Sequence, residues 1–158
     1  MGAINQAFNQ AAGAVAGAAL AIKHAKESEE SKMYAADNSA LIARNQSRTA
    51  DAEYNEERDE AGKEGGLIQK LSEATVNREE AEKAYNKAVN RKNGSPVARL
   101  EKMSELKAAQ KAENELLNKY KALEDLRDRA DEQRMYAAKA TEIALKAKEK
   151  YEKRWGDK

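Results

Sequence analysis

A single four-then-three spacing of small and apolar residues runs from Phe8 to Ala61 and predicts one face of one very long α-helix. This small-residue face comprises Phe8, Ala12, Val15, Ala19, Ile22, Lys26, Glu29, Met33, Ala36, Ala40, Ala43, Ser47, Ala50, Tyr54, Glu57 and Ala61. Alanine lets helix backbones approach closely but supplies little apolar area to bury. We therefore expect this helix to need several neighbouring helices, and its partners to include other chains.

Two clusters of turn-forming residues divide the chain into three predicted helices. Glycines at positions 62, 65 and 66 end the first helix, and the run Asn93–Pro96 precedes the third. There Ser95 is the expected N-cap and Pro96 the first helical residue. The predicted helices span residues 3–61, 67–92 and 96–155, and the first and third would each be roughly 85 to 90 Å long.

The second and third helices have apolar patterns that predict an antiparallel hairpin. The second has the heptad positions Leu67, Leu71, Ala74, Arg78, Ala81, Tyr85 and Ala88. The third has Leu106, Ala109, Glu113, Leu116, Tyr120, Leu123, Arg127, Ala130, Arg134, Ala137, Thr141, Ala144, Lys148, Tyr151 and Trp155, widened by Leu117, Leu126, Met135 and Ile143. A turn near residue 94 would place Tyr85 opposite Met103 and Leu71 opposite Leu117.

Composition supports long helices over a globular core or a disordered chain. Among 158 residues, 5% are aromatic and 36% are charged, which leaves little material for a compact core. Low hydrophobicity also fits disorder, but the net charge is only +1, and helix formers are dense while proline occurs once. We expect an elongated all-α fold of three helices, two of them very long, in a coiled-coil or helical-hairpin arrangement assembled with other chains.

The first helix is expected to have two parts with different surroundings. Residues 1–26 form an apolar segment rich in alanine and glycine that is a candidate membrane-active element, and residues 27–61 continue the helix. Residues 67–92 and 96–155 form the hairpin. Gly2–Ile22 carries no charge, and Lys23, His24 and Lys26 follow it. The segment lacks the basic start of a signal peptide, and its strongly apolar part, Ala11–Ile22, is too short for a conventional membrane span.

The spacing Gly13-Ala14-Val15-Ala16-Gly17 is a GxxxG motif within this segment. In lipid such a motif lets two helices pack backbone to backbone, and in a soluble assembly it serves the same close packing. The sequence leaves both interpretations open. The candidate residues for helix packing or membrane contact are Phe8, Gly13, Val15, Gly17 and Ile22.

Four arginines are candidates for weak contact with the phosphate backbone of DNA: Arg44, Arg48, Arg127 and Arg134. They lie near amide side chains, a combination that can line a channel without holding phosphates strongly. Basic and acidic residues nearly balance, at 29 and 28, so the whole chain has no general attraction to nucleic acid. Neighbouring aspartates and glutamates favour a solvated helix face at these arginines.

The residues do not predict an enzyme. The chain has no cysteine, and His24 is its single histidine, so neither a thiol nucleophile nor a typical zinc site is expected. Adjacent glutamates such as Glu29 and Glu30 diverge around a helix and do not form an acid and base pair. We therefore predict no catalytic, cofactor-binding or metal site.

An apolar segment such as Gly2–Ile22, followed by helices bearing Asn, Gln and Arg, resembles the small internal virion proteins of bacteriophages over residues 2–60. These are the ejection or cargo proteins of short-tailed phages and, more distantly, the pilot proteins of microviruses. The resemblance implies a non-enzymatic protein that forms homo-oligomers through small-residue helix faces and binds other virion proteins near the portal or tail. It would be located in the phage particle and, after ejection, in the host envelope, where it assists genome delivery.

Two other functions remain open. One is a coiled-coil scaffold or adaptor with an apolar N-terminus, and the other is a helical protein that binds the membrane surface through residues 3–26.

Overall fold

The computed structural model describes residues 2–156, which form three α-helices and no strand. The helices are α1 (Gly2–Gly62), α2 (Leu67–Val89) and α3 (Pro96–Trp155). The expected all-helical fold with three helices is therefore confirmed. The second helix ends at Val89, before the expected Lys92, because the chain turns there: Asn90 donates to the carbonyl of Asn86 at 3.0 Å, and Gly94 donates to that of Arg91 at 3.3 Å.

The turn between α1 and α2 requires glycine at two positions. Gly65 has a φ of 71°, in the left-handed region that favours glycine, and its N–H donates to the Gln69 side chain at 2.7 Å. Gly66 has no room for a side chain, because a Cβ there would lie 2.7 Å from the carbonyl oxygens of Glu60, Ala61 and Lys63. These contacts fix a short, tight connection.

The chain divides into two compact units, each built from parts of both long helices. The first unit comprises Met1–Ser47 and Gln133–Lys158, and the second comprises Arg48–Glu132. The first therefore contains the start of α1 and the end of α3, whereas the second also contains the whole of α2.

In the first unit, α1 and α3 run antiparallel and meet along small residues. Glu29 accepts hydrogen bonds from Arg154 and Trp155, which fixes one end of the pair. Following both helices from that contact places Ala40 level with Ala144 and Ser47 level with Ala137, and all four are buried. Ala40 retains only 2% of its exposure. The small-residue face that the spacing predicts is thus the buried face of α1 in this stretch.

The second unit joins the end of α1, all of α2 and the first part of α3. Its most buried residues are Ala50, Ala61, Ala74 and Ala130. Arg78 on α2 donates to Glu113 on α3 at 2.8 Å, and the Glu113 side chain is only 12% exposed. A groove of about 390 Å³ lies among the three helices. It is lined by Glu57, Glu60, Ala61, Leu67, Lys119, Ala122, Leu123 and Leu126.

Several positions on the predicted faces are exposed instead. On α3, Arg127, Arg134 and Lys148 face solvent, and Leu126, Gln133 and Ala147 are the partly buried residues beside them. This one-residue shift keeps three charged groups hydrated, since burying an unpaired charge is costly. Met103 and Leu117 are also exposed. The hydrogen bond between Arg78 and Glu113 places Tyr85 level with Leu106 and Leu71 level with Tyr120, so the expected pairing with Met103 and Leu117 is wrong by about one turn of α3. Leu106, Leu116 and Tyr120 are partly buried in their place. Glu57 on α1 is likewise exposed.

Candidate functional site

The first 23 described residues of α1 have no helix from residues 25–156 packed against them. Residues 2–24, here called the N-terminal segment, are all exposed, and Ala25 is the first partly buried position. These residues are exposed because helix α3 ends at Trp155, level with Glu29. Within this unit, α1 therefore extends beyond the end of its partner helix.

One face of the N-terminal segment is apolar. Phe8, Val15 and Ile22 are seven residues apart, so they drift by only about 20° per step around the helix. Phe8 is 74% exposed and Val15 is 70% exposed. Ile4, which is not among the predicted packing residues, lies on the same face and is 77% exposed. We call this face the apolar stripe; it consists of Ile4, Phe8, Ala11, Ala12, Val15, Ala19 and Ile22.

The two motif glycines lie on the other side of the helix. At about 100° per residue, Gly13 is roughly 160° from Val15. Gly17 follows Gly13 by one turn, and Gln6 and Gln10 share this glycine face. A Cβ added at either glycine would meet nothing within 4 Å, so the glycine face is open. The structure thus separates the five predicted packing residues into two groups.

The apolar stripe continues the face of α1 that α3 covers. Ala40, Ala36 and Met33 are buried or partly buried, and the same four-then-three spacing leads through Glu29 to Ile22, Val15 and Phe8. Only Glu29 and Lys26 interrupt the apolar character between the two parts. The same surface of one helix is therefore covered at one end and exposed at the other.

A polar cluster marks the boundary between the covered and exposed parts. The Trp155 indole donates to Glu29 at 2.6 Å, and the Arg154 guanidinium donates to the same carboxylate at 2.5 Å. The hydrogen bond from Trp155, with the positive charge of Arg154, lowers the pKa of Glu29 below its ordinary value of 4.5. The Arg154 guanidinium also lies 5.0 Å from the centre of the Trp155 ring. We call these three residues the Glu29 clasp.

The basic residues at the end of the N-terminal segment, Lys23 and His24, are partly balanced by one acid. Glu27 lies 4.0 Å from Lys23 and 3.9 Å from the His24 ring, and all three side chains are exposed. Exposed pairs of this kind contribute little to stability. Their main effect is to place charge at one end of an otherwise uncharged helix.

The four candidate arginines are all exposed and belong to different units. Arg44 and Arg134 lie in the first unit, and Arg48 and Arg127 lie in the second. The Arg127 guanidinium is 3.9 Å from the carboxylate of Asp128, which favours the solvated-face interpretation at that position. The structure does not bring all four together within one unit.

Among residues 2–156, no group of three or more His, Asp or Glu side chains is arranged to hold a metal ion. No helix in that range is long and apolar enough to cross a membrane. Comparison of the chain with protein-family models, with curated proteins and with solved structures found no match.

Proposed function

We propose that this chain is a non-enzymatic structural component of a bacteriophage particle, an internal protein of the ejection or cargo type. In this proposal it assembles through the N-terminal segment, with its own copies and with virion proteins near the portal or tail, and it assists genome delivery. The observation that carries the proposal is that residues 2–24 form a helix with no packing partner among residues 25–156.

The energetics of that segment support an assembly role. Burying a side chain such as Phe8, Val15 or Ile22 gains about 1.5 to 3 kcal/mol, and here that gain is left unused. Isolated helices are marginal in water, so most helical stability comes from packing an amphipathic face. A second helix packed on the apolar stripe would bury these side chains and would also stabilise the helical conformation of the segment.

The same face is suited to contact with the host membrane after ejection. An apolar stripe next to Lys23 and Lys26 has the pattern of a helix that lies in the interface of an anionic membrane. Weak contact of Arg44, Arg48, Arg127 and Arg134 with DNA phosphates belongs to the same proposal, because exposed guanidinium groups can contact a backbone without reading sequence.

Mass spectrometry of purified particles tests the proposal. We expect the chain to be present in particles at a fixed ratio to the portal protein. Val15→Asn should lower its incorporation, whereas Leu20→Asn should not, since Leu20 is exposed on the same segment but lies about 140° from Val15. Particles that contain portal and tail proteins but not this chain would contradict the proposal.

A further inference from the structure

We infer that the apolar stripe of one chain packs antiparallel against the apolar stripe of a second copy, so that each N-terminal segment covers the other. The inference rests on the proposed assembly role and names the partner of that surface. Three properties of the described residues support it: continuity with an existing interface, side-chain size and charge.

The interface between α1 and α3 already provides the geometry. α3 covers Met33, Ala36 and Ala40 in an antiparallel orientation, and the stripe is the continuation of that surface. A second copy of α1 placed antiparallel on the stripe would extend this cover in the same direction. The packing would again use small residues that allow close approach of two backbones.

One alignment of the two copies places the second copy on the stripe beside the end of α3. If Phe8 lies level with Ala19 of the second copy, then Gly2 of that copy lies level with Ala25. That position is about one helical turn from the level of Trp155, where the cover by α3 begins. Residues 2–25 of the second copy would therefore cover α1 beside α3 without overlapping it.

Side-chain sizes are complementary in this alignment. Phe8 faces an alanine at position 19, and Val15 faces an alanine at position 12. A parallel pair would instead place Phe8 against Phe8 and Ala12 against Ala12, which alternates crowding with gaps. Facing large and small residues fill the space between two helices better than like sizes do.

Charge also favours the antiparallel orientation. Residues 2–22 carry no charged side chain, and Lys23 and Lys26 follow at one end. An antiparallel pair keeps the two basic ends apart, whereas a parallel pair brings them together. Like charges on neighbouring helices are destabilising, so the parallel pair is disfavoured.

Disulfide trapping tests the orientation directly, because the chain has no cysteine of its own. Phe8→Cys and Ala19→Cys chains, mixed and oxidised, should form a mixed disulfide dimer, which still retains one Phe8 against one Ala19. Phe8→Cys alone should cross-link poorly, since its two thiols would be about 16 Å apart along the helix axis. Efficient cross-linking of Phe8→Cys with itself, and none in the mixture, would overturn the antiparallel pairing.

Sedimentation equilibrium of the full chain tests the surface. We expect a concentration-dependent dimer, weakened about tenfold or more by Val15→Asn and changed by less than about twofold by Leu20→Asn. Circular dichroism should show equal helix content in both variants. A chain that stays monomeric in solution, yet binds phosphatidylglycerol vesicles through Val15, would overturn the pairing in favour of a membrane surface.

The pairing and the proposed function fail separately. A chain that is found in particles but neither dimerises nor cross-links retains the proposed function and overturns the pairing. A chain that forms the expected mixed disulfide but is absent from particles retains the pairing and contradicts the phage role.

Discussion

The indole N–H of Trp155 donates to the carboxylate of Glu29 at 2.6 Å, although the two residues lie near opposite ends of the chain. Arg154 adds a second bond to the same carboxylate, whose side chain is only 16% exposed. This Glu29 clasp closes the antiparallel pair of α1 and α3 at the end of α3. It also defines where α1 becomes uncovered, which is the basis of the proposed assembly surface.

Protonation of Glu29 should open the clasp. The pKa of Glu29 is lowered in the folded chain, chiefly by the bond from Trp155, so the carboxylate stabilises the contact above its ordinary value of 4.5. That stabilisation is lost as the pH falls through the lower, folded value. Trp155 is the single tryptophan, so its fluorescence should change with a midpoint below 4.5.

Two variants test whether protonation of Glu29 causes the change in tryptophan fluorescence. Glu29→Gln should remove the fluorescence change. Glu142→Gln should retain it, because Glu142 also has a lowered pKa, through Lys146, but has no contact with Trp155 among its described partners. An unaltered fluorescence transition in Glu29→Gln would show that another acidic group controls the fluorescence of Trp155.

Enlarging a residue of the α1–α3 interface should destabilise the first unit. Ala40→Leu adds a branched side chain at a position with 2% exposure, so we expect a loss of about 1 to 3 kcal/mol in the free energy of unfolding. Urea denaturation followed by circular dichroism measures it. Ala35→Leu is the matched control, because Ala35 is exposed on the same helix and should change stability little.

Replacing Gly66 should distort the turn between α1 and α2. In Gly66→Ala the new Cβ would lie 2.7 Å from three carbonyl oxygens, which forces the backbone to move and costs about 1 to 3 kcal/mol. Gly62→Ala is the control, because a Cβ there meets nothing and the loss of chain flexibility should leave stability equal or higher. Equal melting temperatures of the two variants would argue against a tight turn.

The two faces of the N-terminal segment should respond differently to substitution. Gly13→Leu with Gly17→Leu should retain the dimer through the apolar stripe and raise helix content, since both positions are open and leucine favours helix over glycine by roughly 0.7 kcal/mol. Incorporation into particles should fall if other helices pack closely on the glycine face. Gly13→Ala with Gly17→Ala still allows close approach, so it should be incorporated normally.

Equal incorporation of the leucine and alanine double variants would assign assembly to the apolar stripe alone. Loss of the dimer in the leucine variant would place the glycines in the pairing surface, against the arrangement inferred above.

Local signals in the sequence were sufficient to predict the helices and part of their buried face. Gly65 and Pro96 lie at turns because their backbone requirements are local, and Ala40 and Ser47 follow a repeat that only a helix brings to one side. The same repeat also selected Phe8 and Val15, which are exposed. Periodicity describes a face, but it does not show whether another helix reaches that face. Whether α1 is covered at Phe8 and Val15 depends on where α3 ends, and α3 ends at Trp155.

The choice between neighbouring positions depended on information that a repeat does not contain. Arg127 and Leu126 are adjacent, and a strict heptad selects the arginine. The structure buries the leucine in part, because a slight rotation of α3 exchanges a costly charge for an apolar side chain. Likewise, the sequence showed Trp155 and Glu29 as separate residues. Their contact required the alignment of two helices that are distant along the chain.

The uniform size of the residues between α1 and α3 has a consequence for how the two helices find their alignment. Ala40 opposite Ala144 and Ser47 opposite Ala137 are nearly equivalent layers, one heptad apart. Sliding one helix by about 10.5 Å would again place small residues against small residues, so the interior distinguishes poorly between neighbouring registers. The Glu29 clasp supplies the distinction, because only one register brings its three side chains together. The three residues of the clasp therefore set the register of two helices whose buried layers are nearly identical.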